Sequence, residues 1–328
     1  MWPSTVPAQQ DPALRATPHA KGGIVAELIL HHFDLSPYAE KVRTLLGLKG
    51  LAWRSVQIPM VMPKPDLVAL TGGYRKTPVL QVGADIYCDS NGIALELERR
   101  YPEPTLFPGS GAGLGLALGL WGDRFFEPGA SLAMTVNDQL PAELVKDRRE
   151  FFTHMDFTSF RARIPEHYSQ LRVHLALLER QLADGRRFLF GDQPGFADAT
   201  AWAPIWMGHG FLGASFGELS APFARLQGWQ QRMRTIGHGQ RSELDAEQAL
   251  AIARDSRAAA PAGVDDADPL QLRAGQGVVV TPDDYGKVPV TGELVTLNTS
   301  EVALRRRDAR AGDVVVHFPR LGYTIAAT

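Results

Sequence analysis

The chain has 328 residues, 45% of them hydrophobic and 21% charged, and its formal net charge is −2. That composition is ordinary for a globular protein, and the charge balance excludes a general pull toward nucleic acid or anionic membranes. No run of 18 apolar residues is present, so a membrane span is not expected, and the single cysteine, Cys88, excludes an intrachain disulfide and fits a reducing, cytoplasmic setting.

Residues 1–23 are rich in Pro, Ala and Gln and carry no signal-peptide apolar run. They are expected to form a disordered tail. Residues 24–108 then alternate short apolar runs with helical patterns. VAELILHHF reads as a strand, SPYAEKVRTLLGLKG as a helix ending at Gly50, and LAWRSVQI as a second strand. PVLQV and IYC flank Gly83-Ala84-Asp85 as a hairpin, and SNGIALELERRY is a helix stopped by Pro102 and Pro104. The order β-α-β-loop-β-β-α predicts an α/β domain. The run GSGAGLGLALG, residues 109–119, does not fit G-x-G-x-x-G and follows no strand, so it predicts a flexible linker into a helix. Residues 113–255 read as an all-helical domain, in which Leu171, Leu175, Leu178 and Leu182 form one buried stripe. A linker is expected over 256–269. From 270 to 328 the period changes to two, which predicts four or five strands in a small all-β domain, a small barrel or curled sheet.

Three short motifs carry chemistry. Ser36 precedes Pro37, and a serine oxygen before a proline at the first helical position is the pattern of an N-cap. Thr77-Pro78 opens a strand, where a proline marks an edge, a bulge or a cis peptide. Asp89-Ser90 stands at the start of the next helix, whose free N–H groups and positive dipole end favour a carboxylate.

In order and spacing, S-P-Y-x-x-K-x-R, then T-P-x-L, then D-S resemble the glutathione transferase superfamily. The resemblance implies a thioredoxin-like glutathione-binding domain over 24–108. It implies the family's all-α domain over 113–255, including FLFGDQPGFADATAWAPIW at 188–206. A β-rich domain at 270–328 lies outside the usual family architecture. Carried over residue by residue, Ser36 would be catalytic and hydrogen-bond the glutathione sulfur. Thr77 would pair with the cysteinyl backbone beside a cis Pro78, and Asp89 and Ser90 would hold the γ-glutamyl end. Lys76 and Lys64 would be candidates for the glycine carboxylate. Tyr38 could replace Ser36 as hydroxyl donor, but as the second helical residue it is expected to face away. SPYAEKVR is close to the omega-class motif, which has cysteine where Ser36 stands. Serine cannot form a mixed disulfide, so the resemblance favours conjugation over thiol transfer. It implies glutathione as co-substrate, an apolar electrophile bound between the domains, a homodimer, and a detoxifying role in the cytoplasm. Two alternatives stay open: a non-catalytic glutathione-binding or interaction protein on the same scaffold, and a glutathione-dependent lyase or isomerase.

A free thiol titrates near about pH 8.5, and one hydrogen bond to a charged group contributes about 1.5–3 kcal/mol. One hydroxyl donor can therefore lower that pKa by roughly one to two units and raise the share of the nucleophilic thiolate.

Other residues read as structural. Adjacent His31 and His32 point to opposite faces of a strand and cannot share a metal. His167 and His174 lack a ligand pattern, so no metal is expected. Cys88 at a strand end reads as a small buried apolar residue. Trp121, Arg124, Phe125, Phe126, Trp202, Trp206 and Met207 suit either an electrophile pocket or core. LRRRDAR, residues 304–310, reads as a solvated face, with nucleic acid a minor alternative. Gly195 in GFAD replaces the usual Ser or Thr helix cap at small cost. Residues 270–328 also offer a surface for a protein partner.

Overall fold

The computed structural model describes residues 27–136 and 140–328; the tail expected over 1–23 lies outside them. The first half of the fold runs β1 (Ile29–His32), α1 (Pro37–Leu48), β2 (Ala52–Gln57), α2 (Pro65–Thr71), β3 (Val79–Val82), β4 (Asp85–Cys88) and α3 (Ser90–Arg100). β1 pairs parallel with β2 and antiparallel with β3, and β3 and β4 form the expected hairpin, turning at Gly83 with φ +62°. α1 begins where its sequence says: Ser36 caps it, its side-chain oxygen accepting from the Ala39 N–H at 3.2 Å, with Pro37 at the first position. This is the thioredoxin-like domain.

The helical half comprises α4 (Gly111–Val136), α5 (Ala142–Phe151), α6 (Ile164–Gln181), α7 (Phe196–Leu212), α8 (Ala214–Ser220) and α9 (Ala224–Ile236). Leu171, Leu175, Leu178 and Leu182 are all buried, and His174 stacks on Phe125 with ring centroids 4.8 Å apart. The glycine run is not a linker. From Gly111 it is the first turns of α4, and two of its glycines, Gly115 and Gly119, sit at close approaches. A Cβ on Gly115 would lie 2.6 Å from the Phe107 ring, and one on Gly119 2.9 Å from the Asn91 side chain. Glycine's poor helix propensity is outweighed there by the close approach it permits. At the start of α7, the carboxylate of Asp198 accepts from the N–H groups of Gly195 and Leu189 and from the Trp229 indole. The glycine cap is therefore closed from inside the helix.

After α9 the chain returns to the sheet. β5 (Gln240–Glu243) pairs with β2, and α10 (Ala246–Asp255) packs beside α2. Then follow β6 (Gly263–Val264), β7 (Gly277–Pro282), β8 (Val290–Leu297), β9 (Glu301–Asp308), β10 (Gly312–Pro319) and β11 (Tyr323–Ala327). The five expected C-terminal strands are β7 to β11. They do not close on themselves. β10 pairs parallel with β4, so that among the described residues one sheet runs β11-β7-β8-β9-β10-β4-β3-β1-β2-β5, with β6 on β8. One apolar core is shared: Leu67, Leu70 and Ile86 of the first half pack with Leu250 of α10 and with Val278, Leu304 and Val316 of the C-terminal strands. The stretch 256–269 is likewise more than a linker, since Gly263 and Val264 pair with Thr296 and Leu297.

A buried polar hub fastens α1 to the helical half. Glu40 accepts from the Arg43 guanidinium at 2.8 Å, from the Trp202 indole at 3.1 Å, and contacts the His238 ring at 3.0 Å. Burial alone would raise its carboxyl, but His238 and Arg43 outweigh that and hold it down to about 2. Arg43 also reaches His32 and the Asp34 carbonyl. His31 and His32 are themselves kept neutral. Burial lowers them to about 4 and about 3, and the Arg43 charge adds to the effect at His32.

Glu40→Ala would leave the buried Arg43 charge without its carboxylate. It should cost about 3–5 kcal/mol of unfolding free energy in urea titrations, and a loss below about 1 kcal/mol would contradict the hub's role. The two histidines predict an acid response. Unfolded chains take up the imidazole proton near about pH 6.5, whereas the folded protein refuses it until about 4 and about 3. The unfolded state therefore holds more protons in this window, and stability should fall as pH drops below about 6.5, by up to about 1.4 kcal/mol per pH unit per histidine. Urea midpoints at successive pH values check this, and a flat profile between pH 7 and 4 would refute it.

Candidate active site

Two clefts meet beside the N-terminus of α1. The polar one, about 420 Å³ of open space, is lined by Lys76, Thr77 and Pro78 ahead of β3, by Asp89, Ser90 and Asn91 at the start of α3, and by Tyr74, Asp284 and Tyr285. The apolar one, about 280 Å³, lies between α1, α4 and α7 and is lined by Pro37, Gly119, Gly122, Phe126, Ala203 and Pro204 among others. Tyr38, Lys41 and Asp123 line both.

The fold thus gathers five of the expected binding residues, Lys76, Thr77, Pro78, Asp89 and Ser90, around one cleft. The Thr77-Pro78 peptide is cis. Asp89 caps α3 from the left-handed region, at φ +74°, and accepts from the Asn91 N–H at 2.8 Å. Lys64 stands apart. Its ammonium is buried, donates to the Arg75 carbonyl at 3.3 Å and Thr77 Oγ1 at 3.5 Å, and does not line either cleft. Burial lowers it to about 8, and the positive charges of Arg148 and Arg75 push the same way.

Ser36 is placed differently from its expectation. It is 4% exposed, its oxygen is engaged in the helix cap, and it lines neither cleft. Tyr38, expected to face away, faces the seam. Its hydroxyl donates to Asp123 at 2.7 Å and its ring packs on Phe126. The docking of α4 against α1 decides this orientation, which position in the helix alone cannot. Burial raises the Tyr38 phenol well above its usual range, with Tyr285 and Asp123 adding to it, so the group keeps its proton. Lys41, one turn on at i+3 from Tyr38, donates to Asn91 Oδ1 at 2.8 Å and Ser90 Oγ at 3.3 Å. That spacing is the one signal in the sequence that could have found the pair. Burial pulls Lys41 down to about 8 against the attraction of Asp89 and Asp123. Asp123 is raised by burial, against the opposing pull of Tyr38 and Lys41.

Among the other residues weighed, Cys88 is fully buried with its thiol raised by desolvation, so it offers no reactive sulfur. Phe125, Trp202 and Met207 are core, and Phe126 alone of the aromatic set lines the apolar cleft. Arg305 pairs with Glu293 at 2.9 Å, and Arg306 donates to the Thr291 carbonyl. No group of metal-holding side chains occurs among the described residues, and no helix among them is long and apolar enough to cross a membrane.

Comparison with known proteins identifies the family of the two domains. The family model described as glutathione S-transferase, N-terminal domain, matches residues 30–105, and the one for the C-terminal domain of the same family matches residues 161–232. The crystal structure of a GST-like protein from Pseudomonas syringae is 36% identical and superposes with a TM-score of 0.77, over 92% of this chain and 100% of that one. The chain belongs to the glutathione S-transferase superfamily. A glutathione S-transferase from Rhodospirillum rubrum is 23% identical, with a TM-score of 0.49 over 63% of this chain and 87% of its own. No curated protein sequence matches. The Pseudomonas match leaves too little of this chain uncovered to omit all of the C-terminal strands.

Proposed function

We propose that the protein is a glutathione transferase-like enzyme that joins glutathione to an apolar electrophile. The observation that carries this reading is the seam: a polar cleft and an apolar cleft share Tyr38, Lys41 and Asp123. A peptide thiol in the first can reach an electrophile in the second only across those side chains. Asp89 and Ser90 hold the γ-glutamyl end, Thr77 and Pro78 align the cysteinyl backbone, and Phe126, Ala203 and Pro204 receive the electrophile.

At the seam the thiolate is held by the Tyr38 O–H and the Lys41 ammonium. Asp123 keeps the phenol aimed when the sulfur is absent. With an aryl chloride, the sulfur forms a bond to the ring carbon and chloride departs with the bonding electrons. Ser36 serves this chemistry by fixing the start of α1. The same reading makes the enzyme a detoxifying cytoplasmic protein and a homodimer, the last supported by the exposed Leu114 and Leu120 on α4. A binding protein without turnover is the second reading, favoured by Tyr323, whose hydroxyl already occupies Asp89 at 3.2 Å.

Tyr38→Phe should lower kcat/KM toward an activated aryl chloride by about 10- to 100-fold, the worth of one hydrogen bond to a charged group, with glutathione affinity retained. Ser36→Ala should lose about 1 kcal/mol of stability and keep most of its turnover. The reverse pattern would return the catalytic hydroxyl to Ser36. A second expectation concerns pH: kcat/KM should decline above about pH 8 as Lys41 loses its proton, and Lys41→Met should lack that limb. A wild-type profile that keeps rising to pH 9.5 would remove Lys41 from the mechanism.

A further inference from the structure

The β7–β8 loop reaches more than 200 residues across the sequence to form one wall of the polar cleft. Asp284 accepts from the Lys76 ammonium at 2.5 Å, and the Tyr285 ring lies 4.1 Å from the same nitrogen. Lys76 is only 11% exposed, so its charge is largely spent on these two groups.

The loop is fastened in this position. The Asp283 N–H donates to the Gly322 carbonyl, and the Gly286 N–H to the Phe151 carbonyl, both at 3.0 Å. Tyr285 packs against Phe151, Phe152 and His154. Gly286 has φ +57°, and a Cβ there would stand 2.3 Å from the Phe151 ring. A bound ligand would have to break these contacts to move Asp284 aside. The charged groups of the cleft are two cations, Lys41 and Lys76, and three acids, Asp89, Asp123 and Asp284. Lys41 is already held by Ser90 and Asn91 at the opposite end. A free carboxylate at the Lys76 end would meet the Asp284 carboxylate with no spare cation between them.

We propose that Asp284 is a specificity-determining residue, which makes the polar cleft select a γ-glutamyl thiol whose glycine carboxyl is masked as an amide or ester rather than free. The inference rests on the reading of this cleft as the thiol-peptide site. It narrows that reading to a substrate class.

Titration calorimetry with glutathione and with its glycine-end ethyl ester, on the wild type and on Asp284→Asn, tests it. The wild type should bind the ester about tenfold more tightly than the free acid, a difference of about 1.4 kcal/mol. Asp284→Asn should gain about tenfold for the free acid and change the ester by less than about twofold. Lys76→Met, which leaves the Asp284 carboxylate without its cation, should prefer the ester at least as strongly as the wild type does, and loss of that preference would overturn the proposal. Equal gains for both ligands in Asp284→Asn would mean that the loop merely obstructs the cleft, and would overturn the proposal. A wild-type preference for the free acid would also overturn it. Binding of neither ligand by any variant would overturn the thiol-peptide reading itself. Far-UV circular dichroism and melting temperature establish that each variant is folded, and Asp284, 44% exposed, tolerates an isosteric change.

Discussion

The parallel pairing of β10 with β4 is the constraint on which the rest of this molecule depends. Val315, Val316 and His317 lie beside Asp85, Ile86 and Tyr87. In this register His317 stacks on Tyr87 with centroids 4.4 Å apart and sets its ring 3.0 Å from the Asp85 carboxylate. Without β10, β4 would present a bare row of backbone donors and acceptors. With it, the edge of a thioredoxin-like sheet becomes its middle, and a C-terminal extension becomes part of the same core. Everything the extension does at the cleft follows, because the loop after β7 and the Tyr323 side chain are carried to the site by strands that start from this pairing.

A second fastening, Glu40 with Arg43, Trp202 and His238, works from the other side. It joins α1, which supplies Ser36, Tyr38 and Lys41, to α7, which supplies Ala203 and Pro204. The two clefts are therefore built across a junction whose charged groups are paired internally. Buried charge of this kind is poor at adding net stability but exacting about geometry. That suits the proposed site, in which sulfur and electrophile would meet at one seam.

What could be read in advance was local. The Ser36-Pro37 cap, the Gly83 turn and the Asp89-Ser90 helix start are decided by one or two neighbouring residues, and each lies where its short motif places it. The local reading of Thr77-Pro78 left an edge, a bulge or a cis peptide open, and the resemblance singled out the cis form that is present. The misplaced elements share a different cause. Tyr38 faces the seam because α4 docks there, and Gly115 and Gly119 stand inside a helix because Phe107 and Asn91 leave no room there for a side chain. Asp284 and Tyr285 bear no local mark of their place at the cleft. DDYG is an ordinary turn composition until the sheet folds it beside Lys76. Period two likewise revealed the strands of 277–327 but not the partner of β10, since pairing across 230 residues leaves no trace in alternation.

Gly119 and Gly122 both border the apolar cleft, and a methyl group on Gly122 would fall 2.5 Å from the Thr200 side chain. The spacing of α4 from α3 and α7 is thus set by two missing carbons. Exchanging either glycine for alanine would prise the helices apart and redraw the chamber proposed for the second reactant. The proposed seam, held by other residues, would keep its parts. Cargo size in such a protein can therefore drift by single substitutions on one helix face while its chemistry stays the same.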